Sequence, residues 1–138
     1  MNGYLLDTNV VSELRKPKPH GGVLAWMSAL PESQLFISAV TIGELQLGIE
    51  RVRTHDAAKA EQIERWVDGL DASGSVLPMD SNCFREWARL TAEHRDQLLE
   101  DGMIAATARV HGLAVATRNE RDFARLRCEL VNPFQLRK

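Results

Sequence analysis

The chain has 138 residues, a formal net charge of −2 at pH 7 and two cysteines. A chain of this length buries about two-thirds of its unfolded surface, so we predict a single domain over residues 1–138 without disulfides. Cys83, Cys128 and the four histidines show no spacing typical of a zinc site. The charge argues against a stand-alone basic nucleic-acid binder. Because no membrane-spanning run or signal pattern is found, we predict a cytoplasmic protein without membrane contact.

The first half of the chain predicts strands separated by helices. The short apolar run from Tyr4 to Leu6 stops at Asp7, which is typical of a strand buried on both faces. A short helix follows and is ended by the Pro17-Lys18-Pro19 segment. The further predicted elements are a helix over Val23–Leu30, a strand over Gln34–Ser38, a helix from Val40, a helix over Asp56–Leu70 and an edge strand over Val76–Met79.

The second half continues the alternation of helix and strand. Its predicted elements are a helix over Ser81–His94, an alanine-rich helix from Asp101 that stops at Gly112, a strand over Leu113–Thr117, a helical turn over Arg121–Leu126 and an extended segment over Glu129–Asn132. Strands that alternate with helices indicate an α/β fold. We therefore predict a three-layer α/β/α arrangement around a mostly parallel central sheet.

Polar residues recur at the points where strands end or helices begin. Asp7 ends the first strand, and Glu44 lies in the first turns of the helix after the second strand. Asp101 opens the alanine-rich helix, while Asn119 and Asp122 follow the next strand. All these positions fall at the carboxyl edge of a parallel sheet, where ligands bind in open α/β folds. We expect the acids to converge there.

Converging carboxylates need a partner, because like charges raise each other's pKa. A bound cation removes that penalty, and oxygen ligands without His or Cys favour Mg²⁺ or Mn²⁺. Such an ion turns a coordinated water into a nucleophile and neutralises charge that develops on a phosphodiester. The pattern thus indicates metal-assisted phosphoryl hydrolysis.

Each acid also has a purely structural explanation. Asp7 and Asp101 are of a type that often caps a helix N-terminus. Glu44 is compatible with a solvated helix position, although its neighbours Gly43 and Gly48 are unusual around a surface acid. Asp122 is typical of a capping or loop acid. The residues alone leave these alternatives open.

Several segments together match the pattern of one protein family. They are Tyr4–Asn9, Ile37–Leu45, Asp101–Ala108, His111–Asn119, Asp122-Phe123 and Asn132-Pro133-Phe134. In this order and spacing the chain resembles PIN-domain ribonucleases, in particular the VapC and FitB toxins of bacterial toxin–antitoxin pairs. The resemblance covers nearly the whole chain.

The resemblance implies a Mg²⁺-dependent endoribonuclease that accepts Mn²⁺ as a substitute. It places Asp7, Glu44 and Asp101 at the metal-site acids, with Asp7 and Asp101 as the more direct ligands. The fourth catalytic position of the family is often an aspartate, and here it is Asn119. An asparagine can hold a metal-bound water through its amide oxygen, but it removes one negative charge. Asp122 is a candidate to replace that charge.

The resemblance also implies partners. Proteins of this kind are homodimers that a small antitoxin inhibits, lying across the first four helices with an arginine in the acidic pocket. The antitoxin carries the operator-DNA-binding part. The basic residues expected to contact RNA phosphates, without reading sequence, are Arg15, Lys16, Lys18, Arg118 and Arg121.

Other functions fit parts of the pattern. A haloacid-dehalogenase-like, metal-dependent phosphatase needs a second aspartate two positions after the first, where this chain has Asn9. A receiver domain needs paired acids and a late lysine, where Thr8 and Arg118 stand. A catalytically inactive PIN-like binding module in a regulatory complex is the remaining alternative, and it would be indifferent to chelators.

Overall fold

The computed structural model describes residues 3–92 and 99–136. The strands are β1 (Tyr4–Leu6), β2 (Leu35–Ser38), β3 (Val76–Leu77), β4 (Ala114–Ala116) and β5 (Leu130–Val131). The helices are α1 (Thr8–Glu13), α2 (Gly21–Ser28), α3 (Ala39–Arg53), α4 (Ala57–Ala72), α5 (Ser81–Thr91), α6 (Leu99–His111) and α7 (Glu120–Ala124). A 3₁₀ turn over Glu32–Gln34 precedes β2.

The five strands form one sheet in the order β3-β2-β1-β4-β5, and every pairing is parallel. The central strand β1 pairs Leu6 with Ile37 of β2 and with Ala116 of β4. The strand before Pro78 lies at the sheet edge, as its proline predicted. Because all strands run in one direction, their carboxyl ends and the helix starts that follow share one edge of the sheet.

Alternate residues of the central strands face opposite layers. Leu5 and Val115 pack into a buried cluster with residues of α6 and α7, whereas Leu6 and Ala116 pack with residues of α1 and α2. A further cluster joins α3 to α4 through Ile49, Ala60, Ile63 and Val67. Helices therefore cover both faces of the sheet, which confirms the predicted three-layer α/β/α fold.

The helix ends differ from prediction in ways that matter for the acids. Helix α6 already includes Leu99 and Glu100, so Asp101 lies inside the helix and the alternative role of N-cap is wrong. Helix α4 continues to Ala72 because Asp71 and Ala72 are compatible with a helix. The predicted helix over Ser81–His94 ends at Thr91, and its last predicted residues, from 93, lie outside the described residues.

Two features of the described residues complete the fold. Gly112 ends α6 with a φ of +67°, the left-handed stop that the sequence predicted, because a residue without a Cβ adopts this conformation at little cost. Within residues 3–92 and 99–136, no helix combines the length and the apolar character needed to cross a membrane.

Candidate active site

Asp7 is a buried carboxylate at the carboxyl end of β1. It is only 5 % exposed and caps α1, since its Oδ1 accepts a hydrogen bond of 2.8 Å from the backbone N–H of Thr8. Its Oδ2 accepts hydrogen bonds from the Thr117 hydroxyl at 2.7 Å and from the Asn9 amide at 3.1 Å. Burial nevertheless raises the pKa of Asp7 above its ordinary value. The residue is thus both a helix cap and a desolvated acid.

Glu44 approaches the same edge from α3. The Thr8 hydroxyl donates to Glu44 Oε1 at 2.8 Å and also lies 3.0 Å from the Thr41 hydroxyl. Burial raises the pKa of Glu44, and the charges of Glu100, Asp7 and Asp101 raise it further. Glu44 is therefore half-buried and close to the other acids.

The sequence argument from the neighbours of Glu44 was wrong in its reason. Gly43 and Gly48 are both exposed, and a Cβ at either would stand in open space. The polar surroundings of Glu44 come from threonines instead. The Thr8 hydroxyl donates to Glu44 and lies against the Thr41 hydroxyl.

Asn119 connects the remaining two acids. Its side-chain Nδ2 donates to Asp101 Oδ2 at 3.2 Å and to Asp122 Oδ2 at 2.9 Å. Its backbone N–H donates to the Thr117 hydroxyl at 2.8 Å. Burial, and then the charges of Asp7, Asp122 and Glu100, raise the pKa of Asp101 to about 6. Asp122 is thus drawn into the site through Asn119.

A continuous path of hydrogen bonds now joins the predicted site residues. It runs through Glu44, Thr8, Asp7, Thr117, Asn119 and Asp101. In the part of the chain that the structure describes, none of Asp7, Glu44, Asp101 and Asp122 forms an ion pair with a lysine or arginine. The path links Asp7, Glu44 and Asp101 along the carboxyl edge of the sheet, and neutral donors hold the orientation of these acids.

The ligand chemistry of this edge suits a hard divalent cation. Carboxylate and amide oxygens are the donors that Mg²⁺ and Mn²⁺ prefer, and the site offers neither thiolate nor imidazole. Among the described residues, however, no group of three or more His, Cys, Asp or Glu side chains is arranged to hold a metal ion. The donor set fits such an ion, whereas the carboxylates themselves are turned toward hydroxyl and amide donors.

Sequence reasoning missed three contributors to this site: Thr8, Thr117 and Glu100. The signal for Thr117 lies in the register of the sheet, because Leu6 pairs with Ala116 and the next residues, Asp7 and Thr117, then stand side by side. Glu100 precedes Asp101 in α6, and its charge raises the pKa of both Glu44 and Asp101.

The basic residues expected to contact RNA are not equivalent. Lys16 pairs with Glu13 at 2.9 Å, and the guanidinium of Arg118 lies 3.8 Å from the centre of the Phe134 ring. Arg15, Lys18 and Arg121 are exposed and form no ion pair within the described ranges. Contact of any of them with RNA remains a prediction.

A cavity of about 480 Å³ lies away from the acids, where α6 and Leu113 meet residues 127–129. Its charged lining is largely self-paired, since Arg109 Nε lies 2.7 Å from Glu86 Oε2 and another of its nitrogens donates to the Arg127 carbonyl. We therefore place the candidate active site at the acidic edge.

Comparison with known proteins identifies the family. A model described as PIN domain matches residues 4–127 of the chain. The chain belongs to the PIN-domain family. A relative from Sinorhizobium fredii named VapC ribonuclease Y4jK is 37 % identical over 136 residues, covering 95 % of this chain and 97 % of the relative. Toxin FitB from Neisseria gonorrhoeae is 35 % identical over 136 residues, covering 94 % and 97 %.

A solved structure described as FitAB bound to an IR36 DNA fragment has the same PIN fold. It aligns with a TM-score of 0.77 and 32 % identity, covering 98 % of this chain and 98 % of that chain. The family and fold that the sequence predicted are therefore confirmed.

Proposed function

We propose that this PIN-domain protein is a metal-dependent endoribonuclease and the toxin of a type II toxin–antitoxin pair. The observation that carries the proposal is the acidic edge, where Asp7, Glu44 and Asp101 share one hydrogen-bond path without a basic partner in the described residues. Its relatives, named as a ribonuclease and as a toxin, cover nearly the whole chain.

The residues divide into ion ligands and residues that orient them. Asp7 and Asp101 would bind the ion directly, Glu44 would complete the acidic set, and Asn119 would hold a bound water through its amide oxygen. We propose Mg²⁺, with Mn²⁺ as a substitute, because both accept oxygen ligands and phosphate together. When bound, such an ion supplies an acidified water and neutralises charge on the phosphodiester.

The hydroxyl and amide groups fix the acids before substrate arrives. Thr117 holds one oxygen of Asp7 and also receives the backbone N–H of Asn119, so a single hydroxyl aligns two site residues. The Thr8 hydroxyl holds one oxygen of Glu44 by a similar hydrogen bond. Partners of this kind set ligand orientation, and their loss reduces metal affinity or activity by about 10- to 100-fold.

The surface also suits the proposed antitoxin. An apolar groove of about 230 Å³ lies between α1, α2 and the end of α4, lined in part by Leu14, Met27, Leu35 and Leu70. Such a groove accepts the apolar face of a helix. With a net charge of −2, the chain is poorly suited to bind DNA alone. We therefore propose that operator DNA is reached only through the antitoxin. The similar FitAB structure was solved bound to a DNA fragment.

We further propose a cytoplasmic homodimer in which residues 1–138 form one domain. The family model covers residues 4–127, and the buried clusters on the two faces of the sheet share its central strands.

An RNA cleavage assay tests the proposed function. The purified chain is incubated with structured and unstructured RNA in Mg²⁺, Mn²⁺ or EDTA, beside Asp101→Asn. We expect cleavage with either metal and loss of at least about a thousandfold with EDTA or Asp101→Asn, because a metal ion contributes several kcal/mol to such a transition state. Asp68→Asn, an exposed acid of α4, serves as the matched control and should cleave normally.

Two results would contradict the proposal. Cleavage that persists in EDTA and in Asp101→Asn would exclude the metal mechanism. Absence of cleavage by the unmutated chain under every condition would favour the inactive PIN-like binding module. Expression of the unmutated chain alone should also stop growth, whereas Asp101→Asn should not.

A further inference from the structure

Arg118 occupies a special position among the basic residues. It stands between Thr117, which holds Asp7, and Asn119, which holds Asp101. Its backbone N–H donates to Asn9 Oδ1 at 3.2 Å, which ties this point of the chain to α1. Its side chain is 54 % exposed. Arg118 therefore presents a positive charge to solvent beside the acidic edge.

Two neighbours hold the guanidinium of Arg118 in place. It lies over the face of Phe134, 3.8 Å from the ring centre, in the geometry of a cation–π contact. One of its nitrogens lies 4.0 Å from Glu13 Oε1, a carboxylate whose side chain is 6 % exposed. Glu13 is itself fixed by Lys16 and by the backbone N–H of His20. A planar guanidinium stacked in this way keeps donors free for a phosphate.

The closing Asn132-Pro133-Phe134 segment explains how Phe134 reaches Arg118. Asn132 is buried, its Oδ1 accepts the Phe134 N–H at 3.0 Å, and its Nδ2 donates to Glu120 at 3.1 Å. The Phe134 ring also meets the His20 ring edge-on, with centres 5.2 Å apart. Two anchors, on α7 and at the start of α2, thus place this aromatic ring.

Gly22 provides the space for this arrangement. A Cβ at Gly22 would stand 2.9 Å from the His20 ring and 3.2 Å from the Pro133 carbonyl oxygen. A side chain at Gly22 would clash with His20, whose ring contacts Phe134, and with Pro133, which precedes Phe134. Residues from three separate parts of the chain therefore fix the position of the Arg118 side chain.

We propose that Arg118 is a substrate-binding residue that takes a phosphate of the RNA strand, and that the Asn132-Pro133-Phe134 segment holds it there. This inference rests on the proposed ribonuclease function. Asp7 and Glu13 lie at opposite ends of α1, roughly 9 Å apart along its axis. Arg118, near Glu13, then meets a phosphate adjacent to the scissile one. A cation at this place offsets the repulsion between the acidic edge and the RNA backbone.

RNA binding in the absence of cleavage tests this role. Single-stranded RNA is titrated into Asp101→Asn protein, and affinity is measured by fluorescence anisotropy over a range of salt concentrations. Adding Arg118→Ala should weaken binding about tenfold and reduce the slope of log affinity against log salt by about 0.7, the value for one phosphate contact on a single strand. Arg51→Ala removes the same charge from an exposed position at the end of α3 and should change neither quantity.

A second variant tests the aromatic seat separately. Phe134→Leu keeps the charge of Arg118 and most of the apolar volume but removes the ring face. It should weaken RNA binding by about threefold, since the guanidinium is then held less firmly. In the cleavage-competent chain, Arg118→Ala should raise KM more than it lowers kcat. Thermal melting identifies variants that lose fold, and Arg118→Gln replaces Arg118→Ala if the alanine variant does not fold.

The outcomes separate this proposal from the proposed function. If the folded Arg118 variant binds RNA as tightly as Arg51→Ala does, or keeps the parent salt slope, the role of Arg118 is refuted. If the Arg118 variant lost affinity only for the antitoxin, Arg118 would contact that protein and the proposed role in RNA binding would be refuted. Unchanged binding by Phe134→Leu would refute the role of the closing segment. Failure of the unmutated chain to cleave RNA would instead refute the ribonuclease itself.

Discussion

Helix α3 carries two glutamates in opposite electrostatic states. Glu44, near its start, is half-buried, accepts from the Thr8 hydroxyl, and has a pKa raised by burial and by neighbouring acids. Glu50, six positions later, is exposed and lies 3.0 Å from Arg53 Nε, and this hydrogen bond is the main cause of its lowered pKa. The residue type and the helix are the same. What differs is whether a basic side chain compensates the charge.

The same contrast divides other acids of the molecule. Acids that pair with a basic residue are Glu13, Glu50, Glu61, Glu64 and Glu86. Two of them join helices, since Arg53 bridges to Glu64 of α4 and Arg109 of α6 bridges to Glu86 of α5. The acids at the carboxyl edge are held by hydroxyls and amides instead, so the repulsion between their negative charges is not compensated. A bound cation would relieve this repulsion.

The largest effect on this contrast should come from removing a neutral donor. Thr117→Val deletes the hydroxyl that donates to Asp7 and accepts from Asn119, so two site residues lose their orientation. We expect metal affinity to fall by about 10- to 100-fold, the usual effect of losing such a partner. The measurement is calorimetric titration with Mn²⁺, supported by the Mg²⁺ dependence of RNA cleavage.

Thr107→Val is the matched control for Thr117→Val. Thr107 is equally buried, but its hydroxyl donates to the Met103 carbonyl within α6 rather than to a site acid. Metal affinity should remain within twofold of the parent, on the order of RT. Equal losses in both threonine variants would mean that packing, and not orientation of Asp7, is affected.

A change of pH should act next on the uncompensated acids. The pKa of Asp101 is raised to about 6, so protons compete with the metal below that pH. Mn²⁺ affinity should be nearly constant above pH 7 and fall about tenfold per unit below pH 6. Titrations from pH 5 to pH 8 check this. A flat profile down to pH 5 would show that Asp101 is already ionised without metal.

The sequence predicted the skeleton of this site but not its contacts. Apolar runs that end at Asp7 and before Asn119 gave the parallel strands, and the parallel order placed the acids at one edge. The hydrogen bonds of the Thr8 and Thr117 hydroxyls could not be predicted from the chain alone, because their partners are set by strand register and helix packing. Ion pairs such as Arg53 with Glu64 join residues of different helices, so only the packed fold brings them together.

The stability of the metal-free protein should respond to loss of an uncompensated charge. The pKa of Asp101 is higher in the folded chain than its ordinary value of 3.8, so this group lowers stability as pH rises from about 4 to about 6. Asp101→Asn removes the penalty and can still accept from Asn119. After allowance for solvent screening of a half-buried group, we expect a gain of about 1 kcal/mol at pH 7.

Thermal or urea unfolding in EDTA measures this gain. The advantage of Asp101→Asn should vanish near pH 4, where the aspartate of the parent is protonated in the folded state. Saturating Mg²⁺ should reverse the order of stability, because the parent then gains binding energy that the variant lacks. If Asp101→Asn were less stable than the parent at pH 7 in EDTA, the carboxylate would be stabilising and the contrast with Glu50 would fail.

The smallest effect, of opposite sign, should come from the other end of α3. Glu50→Gln removes a carboxylate whose pKa is lowered, chiefly by Arg53, so its contribution is present above its ordinary value of 4.5 and is lost as pH falls through the lowered pKa. Melting temperature at pH 7 should fall slightly, and by less in high salt, because exposed pairs are screened. RNA cleavage should stay unchanged. A rise in melting temperature, or a loss of cleavage, would show that pairing with arginine does not separate structural acids from those of the active site.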